Sequence, residues 1–353
     1  MKINAKILIC YNSPVSIFPI YNGKPAQKDS EINDLSESAF ERDLDKIVGG
    51  LEKYYSKVET FAVDGNIEKT ISELNKISPD VIFNFVETIE GVASYEYCVA
   101  GIFELLGYQF TGNTPMTLGN CLNKERAKNI LRSFGINTPQ SQIIKPSDKV
   151  SRKNFNLKFP VILKLLTEDA SIGISEFSVV SNFTELTKQL KFLFGTYKQD
   201  VIAEEYIDGR ELNIAVLGNK TLPVSEILFK GLPDTLPKII TYDSKWIEES
   251  IYYKHTQPSC PAELDRKTQK NVEAVAMDAF SAMNCRDYAR VDLRLSNDGV
   301  PYVIEVNPNP DISTDSGFAR AAAVVGISYG ELLHTIANFA LTRKENDTKN
   351  KAV

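Results

Sequence analysis

Two stretches in the last fifth of the chain put oxygen ligands at strand spacing. In "DYARVDLRL", Arg290, Asp292 and Arg294 recur at every second residue, and in "YVIEVN" Glu305 and Asn307 do the same. A β-strand alternates faces residue by residue, so each set shares one face. The Asn-Asp-Gly of the intervening "SNDG" is hairpin chemistry and predicts an antiparallel pair. An Asp, a Glu and an Asn on one sheet face make a hard-oxygen set suited to Mg2+, which leaves its remaining positions to water or phosphate oxygens. The plain alternative is a charged face on which Arg290 and Arg294 simply pair with the acids, because charged side chains are mostly exposed. Pro308 and Pro310 then fix the exit of the second strand.

Other groups could serve phosphates. In "FPVILKLLTEDASIGIS", a strand carrying Lys164 runs into a small-residue loop ending at Ser171-Ile172-Gly173. A lysine point charge beside backbone N–H groups is one way to hold phosphate; an ordinary hairpin loop with a surface lysine is the other reading. In "VIAEEYIDGREL", Glu204 and Glu205 end an apolar run and Glu211 follows. Such acids can accept from amino and hydroxyl groups of a ligand or form a charged edge. Lys124, in "CLNKERAK", heads a predicted helix whose positive end would also suit a phosphate.

Composition narrows the field. The 353 residues are 43% hydrophobic and 24% charged, with 19 Gly and 16 Pro, a globular profile long enough for two or three subdomains. A net charge of -6 argues against a nucleic-acid partner. No run reaches the roughly 20 apolar residues of a membrane span, and "MKINAKILICYN" lacks signal-peptide features. Five cysteines (Cys10, Cys98, Cys121, Cys260, Cys285) without a C-x-x-C pair read as buried thiols of a cytoplasmic protein. Only His255 and His334 are available as histidines, and neither a G-x-S-x-G nor a P-loop motif occurs. The chemistry must rest on carboxylates, lysines and backbone.

The elements that would position these groups follow from pattern. "KILICY", "VETFAVD" and "VIFNFV" alternate with helical stretches through "SAFERDLDKIVGGLEKYY" and "SYEYCVAGIFELLG", the βαβ signature of an open parallel sheet. The polar stretch "SPVSIFPIYNGKPAQKDSEINDLSE" is long for a connection and reads as a mobile insertion rather than a binding lid. A linker helix, "NKERAKNILRSFG", ends at a glycine suited to a left-handed cap. Residues 141–206 read as a small α+β unit with strands "SQII", "PVILKLL", "ISEFSVV" and "VIAEEYI" around the helix "NFTELTKQLKFLFG". The final third adds strands "ELNIAVLG" and "LPVSEILF", the hairpin, and the helix "NVEAVAMDAFSAMN". There Val272, Val275, Ala276, Ala279, Phe280 and Met283 form a core stripe. "TRKENDTKNKAV" reads as a frayed tail.

The order "LNKERAKNILRSFGINTP", "FPVILK…DASIGIS", "VIAEEYIDGRELNIAVLG", "YDSKW", "DYARVDLRL", "YVIEVNPNP" resembles the ATP-grasp ligase superfamily, in particular its D-alanyl-D-alanine ligase branch, over about residues 78–337. The resemblance implies an α/β and α+β chain: an N-terminal Rossmann-like domain (1–115), a central ATP-grasp subdomain (116–206), a C-terminal one with the metal site (207–345), and a flexible tail (346–353). It implies ATP between the two grasp subdomains, with Lys124 and Lys164 on phosphates and Ser171 in the loop over them. Glu204, Glu205 and Ile207 would line the adenine and Glu211 the ribose. Lys245, in "YDSKW", would reach the γ-phosphate from a mobile loop. Asp292, Glu305 and Asn307 would hold two Mg2+ ions, with Mn2+ as a substitute, and Arg290 would stabilise transition-state charge. The implied partners are a small carboxylate and an amine, with a homodimer through the first domain.

Such a ligase phosphorylates a carboxylate to an acylphosphate, releasing ADP, and an amine then displaces phosphate. This needs positioning and positive charge rather than a histidine, and loops near 166–173 and 233–250 that close against water. The departures concern substrate. The branch has an acid shortly after its first strand where this chain reads "YNSPVSIFPI"; Ala170 replaces the first of two serines, Trp246 a tyrosine, and Asp311 a glycine, while Ser316 stays where a substrate carboxylate is contacted. D-alanine is therefore not the expected substrate. The competing expectation is a nucleotide-binding protein that has lost ligase chemistry and acts as a sensor or scaffold.

Overall fold

The computed structural model describes residues 2–25 and 35–351. The first layer is a parallel sheet ordered β2-β1-β3, from β1 (Ile3–Asn12), β2 (Tyr55–Val63) and β3 (Val81–Phe85), crossed by α1 (Leu35–Glu52) and α2 (Ile67–Ile77). Its apolar strands are buried because helices cover both faces. Next come α3 (Glu96–Leu105), α4 (Pro115–Leu122) and α5 (Lys124–Ser133). The sequence reading has no counterpart of α4, whose cap Thr114 and first-turn Pro115 are ordinary start signals.

A four-stranded antiparallel sheet, β4-β7-β5-β6, follows from β4 (Ser141–Ile144), β5 (Val161–Leu165), β6 (Val179–Val180) and β7 (Val201–Glu205), backed by α6 (Phe183–Tyr197). "ISEFSVV" does not form a full strand. Ser175 and Ser178 make a reciprocal capping box that starts a 3-10 turn and leaves β6 two residues long. The third sheet, β11-β10-β8-β12-β13 with β9 on β8, comprises β8 (Gly209–Leu217), β9 (Lys220–Thr221), β10 (Ser225–Leu228), β11 (Gln257–Ser259), β12 (Tyr288–Ser296) and β13 (Pro301–Asn307). α9 (Arg266–Ala282) and α10 (Gly317–Val324) lie against it, α7 (Tyr242–Trp246) and α8 (Ile251–His255) pack on each other, and α11 (Tyr329–Lys351) packs on α1 and β3. The α9 stripe is buried as expected, with Val275 half-buried.

Four expectations change. Residues 26–34 lie outside the described residues, but the rest of the polar stretch is no mobile insertion: Tyr21 is buried, and its carbonyl accepts from Gly173 N at 2.7 Å. "YDSKW" is a short helix and not a loop, because Thr241 and Ser244 form a capping box. The supposed tail is helical through Lys351, since extending an anchored helix costs little once it is nucleated. Of the thiols, Cys98 is exposed and Cys260 and Cys285 are half-buried.

α11 is anchored by Arg343, which donates to Phe110 O at 2.7 Å and is paired with the buried Asp287. Asp287 also accepts from Gly112 N at 2.9 Å, so one carboxylate joins the first domain, β12 and α11. Removing the partner of a buried charge is costly; with Arg343 part-exposed, Arg343→Ala should destabilise by about 2 kcal/mol. Lys69→Ala, which breaks the exposed pair with Asp64, should change the unfolding midpoint far less. Calorimetry on both variants checks this.

Candidate active site

β12 is the central strand of the site. Its register sets Asp292 opposite Asn213 of β8 on one side and Glu305 of β13 on the other, with Arg290 opposite Asn307. A register shift after Asp292/Glu305 pairs Leu293 with Val303 and leaves Ile304 as the extra residue. Such a bulge re-aims neighbouring side chains. Asp292 accepts from Arg290 Nε (2.8 Å) and Nη2 (2.9 Å), Asn213 Nδ2 (2.7 Å) and Asn307 Nδ2 (2.9 Å). The arginine–acid pairing of the plain alternative thus exists, but inside the fold rather than on a solvated face. Asn213 was missed by sequence reading, although it stands two residues beyond Glu211 on the same strand face.

Across the cleft the central sheet supplies lysines. Lys164 of β5 lies 3.0 Å from Glu204 Oε2 of β7, and Lys128 of α5 lies 3.2 Å from Oε1. Glu204 and Lys128 are each 1% exposed. Burial alone would raise the Glu204 pKa, but the two ammonium charges hold it below the usual carboxylate range. Sequence reading assigned Glu204 to adenine and overlooked Lys128, which sits four residues after Lys124 on one helix face. Lys124 Nζ donates to Glu168 O at 2.6 Å and lies 3.3 Å from both Asp169 and Glu305. Desolvation opposes ionisation of Glu305, yet Lys124, Lys164 and Arg290 pull its pKa down to about 2.

Glu211 is buried against Arg294 Nη1 at 3.2 Å. The same guanidinium donates to Ile207 O (3.0 Å), Tyr206 OH (3.0 Å) and Lys238 O (2.7 Å) and stacks on the Tyr206 ring. Arg294 therefore braces the wall formed by 206–207, 211 and 238, while Glu205 is half-buried beside it. Ser171 follows Ala170 in the left-handed region, φ 63° and 52°, a strained pair that persists only where its surroundings impose it. Lys245 projects from α7 without an ion pair among the described residues; desolvation and the charge of Arg290 lower its pKa against the pull of Glu305 and Asp292. Trp246 ends that helix with its indole N–H buried and unpartnered.

The exit of β13 is locked. Asn113 Nδ2 donates to Pro308 O at 2.6 Å and Tyr288 O at 3.0 Å, and Asn309 Nδ2 donates to Glu96 Oε1 (3.2 Å) and Val86 O (3.3 Å). Beyond it, exposed Asp311 accepts from Ser313 N at 2.8 Å, and buried Ser316 caps α10 by accepting from Ala319 N at 3.1 Å.

Among the described residues no three His, Cys, Asp or Glu side chains cluster around a metal position. Glu305 and the side-chain oxygen of Asn307, whose nitrogen is spent on Asp292, suit a hard cation whose shell would be completed by phosphate oxygens; both Asp292 oxygens already accept from Arg290, Asn213 and Asn307, so Asp292 would join that shell by giving up one of those donors.

Solved structures share this fold. That of D-alanine–D-alanine ligase from Bacillus anthracis complexed with ATP covers 97% of this chain and 99% of its own, with TM-score 0.73 and 22% identity. That of the ligase from Coxiella burnetii covers 99% and 97%, with TM-score 0.70 and 19% identity. The fold is that of the ATP-grasp D-alanine–D-alanine ligase structures. The family model of the D-ala D-ala ligase C-terminus matches residues 130–338. The D-alanine–D-alanine ligase of Bordetella petrii is 29% identical over 287 residues, covering 80% of this chain and 82% of its own. An uncharacterized protein, y4sG, of Sinorhizobium fredii is 33% identical over 265 residues, covering 74% and 75%. The chain belongs to the D-Ala–D-Ala ligase family of ADP-forming ligases.

A lysine that meets phosphate acts in its protonated form. In a ligase that uses Lys245 at the phosphate, as proposed below, its lowered pKa should impose an alkaline fall in ATP turnover below the ordinary lysine value of about 10.4. Lys245→Arg, charged throughout, should shift the fall to higher pH; an unmoved limb would show that another group titrates.

Proposed function

We propose that the protein joins a carboxylate to an amine through an acylphosphate, making a dipeptide or peptide-like amide, and that D-alanine is not its substrate. The observation that carries the reading is the convergence of Lys124, Lys164, Lys245 and Arg290 on the face that holds Asp292 and Glu305. Phosphoryl transfer needs in-line positioning and positive charge around the transferred group, and this set supplies both. Lys124 and Lys164 hold phosphates, Ser171 orders the loop above them, and Lys245 meets the γ-phosphate. Glu205 and Ile207 border the adenine and Glu211 the ribose, while Glu204 contributes chiefly by fixing Lys164. Asp292, Glu305 and Asn307 would hold two Mg2+ ions, which would neutralise phosphate charge, with Mn2+ as a substitute. Arg290, oriented by Asp292, stabilises the oxyanion formed as the amine adds to the acylphosphate.

The substrate exclusion is supported by the region after β1, which carries no acid between Asn12 and Lys24, and by Ala170, Trp246 and Asp311. Asp311, Ser316 and Trp246 are the residues we assign to substrate contact. Free thiols fit a reducing cytoplasm. Leu105, 90% exposed on α3, supports a homodimer through the first domain.

Incubation with ATP, Mg2+ and an amino-acid panel should release ADP and phosphate with at least one pair. Glu305→Ala should abolish turnover, and Lys245→Met should lower kcat by about 100-fold. AMP as the product would overturn the reaction type. Preferred use of D-alanine would overturn only the substrate exclusion. Tight ATP binding without turnover on any pair would favour a sensor or scaffold.

A further inference from the structure

The segment after β1 leaves the first domain and lies down on the phosphate loop. Phe18 packs edge-on against Tyr197 of the central domain with ring centroids 5.2 Å apart. Tyr21 accepts through its hydroxyl from Ile17 N at 2.8 Å and through its carbonyl from Gly173 N at 2.7 Å. Gly23 accepts from Ser175 Oγ at 3.1 Å. It has φ +69°, and a Cβ there would stand 2.3 Å from Gly173 O, so only glycine allows this approach. The segment then delivers Lys24, whose Nζ lies 2.7 Å from Asp243 Oδ2 and 2.9 Å from Glu176 Oε2.

Asp243 is two residues before Lys245 on α7, and Glu176 directly follows Ser175 at the end of the phosphate loop. The Asp243 side chain is 7% exposed and its Oδ1 has no hydrogen-bond partner. Among the described residues neither acid has a cation other than Lys24. Without that ammonium, two carboxylates would face each other in a poorly solvated place and repel. The consecutive left-handed Ala170 and Ser171 point the same way, because such backbone persists only when held from outside.

We propose that Lys24 is a positioning residue: its ammonium clasps α7 and the phosphate loop to each other and to the first domain, fixing Lys245 relative to Ser171 and keeping water from the acylphosphate. This rests on the ligase reading above. Loss of the clasp lets water take the place of the amine: water attacks the acyl carbon, phosphate leaves, and the free carboxylate is regenerated while ADP has already formed.

The test compares wild type, Lys24→Ala and Lys24→Arg for ADP released per amide formed, and for backbone hydrogen exchange of residues 171–175 and 242–246 without nucleotide. In Lys24→Ala the ADP-to-amide ratio should rise several-fold and exchange in both segments should quicken, with recovery in Lys24→Arg. A purely structural defect would lower ADP and amide together and leave their ratio unchanged. The Lys24→Met variant that also carries Glu176→Gln and Asp243→Asn has no unpaired charge at the clasp; it should melt near wild type and still be uncoupled. Coupled turnover in that variant, or wild-type ratio and exchange in Lys24→Ala, overturns the clasp while the ligase reading stands. Absence of amide formation by wild type overturns the reading itself, and the positioning role with it.

Discussion

Asp292 accepts hydrogen bonds from Arg290, Asn213 and Asn307, and most of the cleft depends on that one carboxylate. A charge in a low-dielectric setting is tolerable only when its lone pairs are met. Meeting them here requires three strands in one register. The β8–β12–β13 pairing brings Asn213 in from one side and Glu305 and Asn307 from the other. A slip by one residue would turn every one of these side chains to the opposite face. Arg290 is thereby oriented as a by-product of holding Asp292.

The facing sheet follows a complementary rule. Its acids are shared among lysines: Glu204 between Lys128 and Lys164, with Glu305 from across the cleft meeting Lys124. Lys124, Lys128 and Lys164 are each held by a carboxylate, whereas Lys245 has no such partner among the described residues. A cleft arranged this way holds its cations ready without collapsing on itself. The segment after β1 lies where α7 and the loop ending at Ser175 meet, with Lys24 against an acid on each side.

Much of the local structure was legible because it is governed by short-range rules. The hairpin, its turn and the α9 core stripe follow from alternation, turn chemistry and helical periodicity, whereas the exit after Asn307 is held by Asn113 and Asn309 as well as by its prolines. "YDSKW" was misread as a loop although Thr241 and Ser244 stand at capping-box spacing. "ISEFSVV" looked like a strand because its β-branched and aromatic residues outweighed the Ser175–Ser178 box that interrupts it. Lys128 was legible in principle, one helical turn from Lys124, yet spacing alone does not tell a buried lysine from an exposed one.

The sequence by itself determined which residues could face a phosphate and a metal, since strand and helix periods assign side chains to faces without knowledge of the rest of the chain. It also marked, through absent or exchanged residues after the first strand and at Ala170, Trp246 and Asp311, that the substrate end differs from the ATP end. Only the tertiary structure decided which charges pair: Glu204 with two lysines, Glu211 with Arg294, and Lys24 with Asp243 and Glu176. Pairing across 40, 83 or 219 positions of chain depends on how sheets stack and domains dock, and no local period encodes that distance.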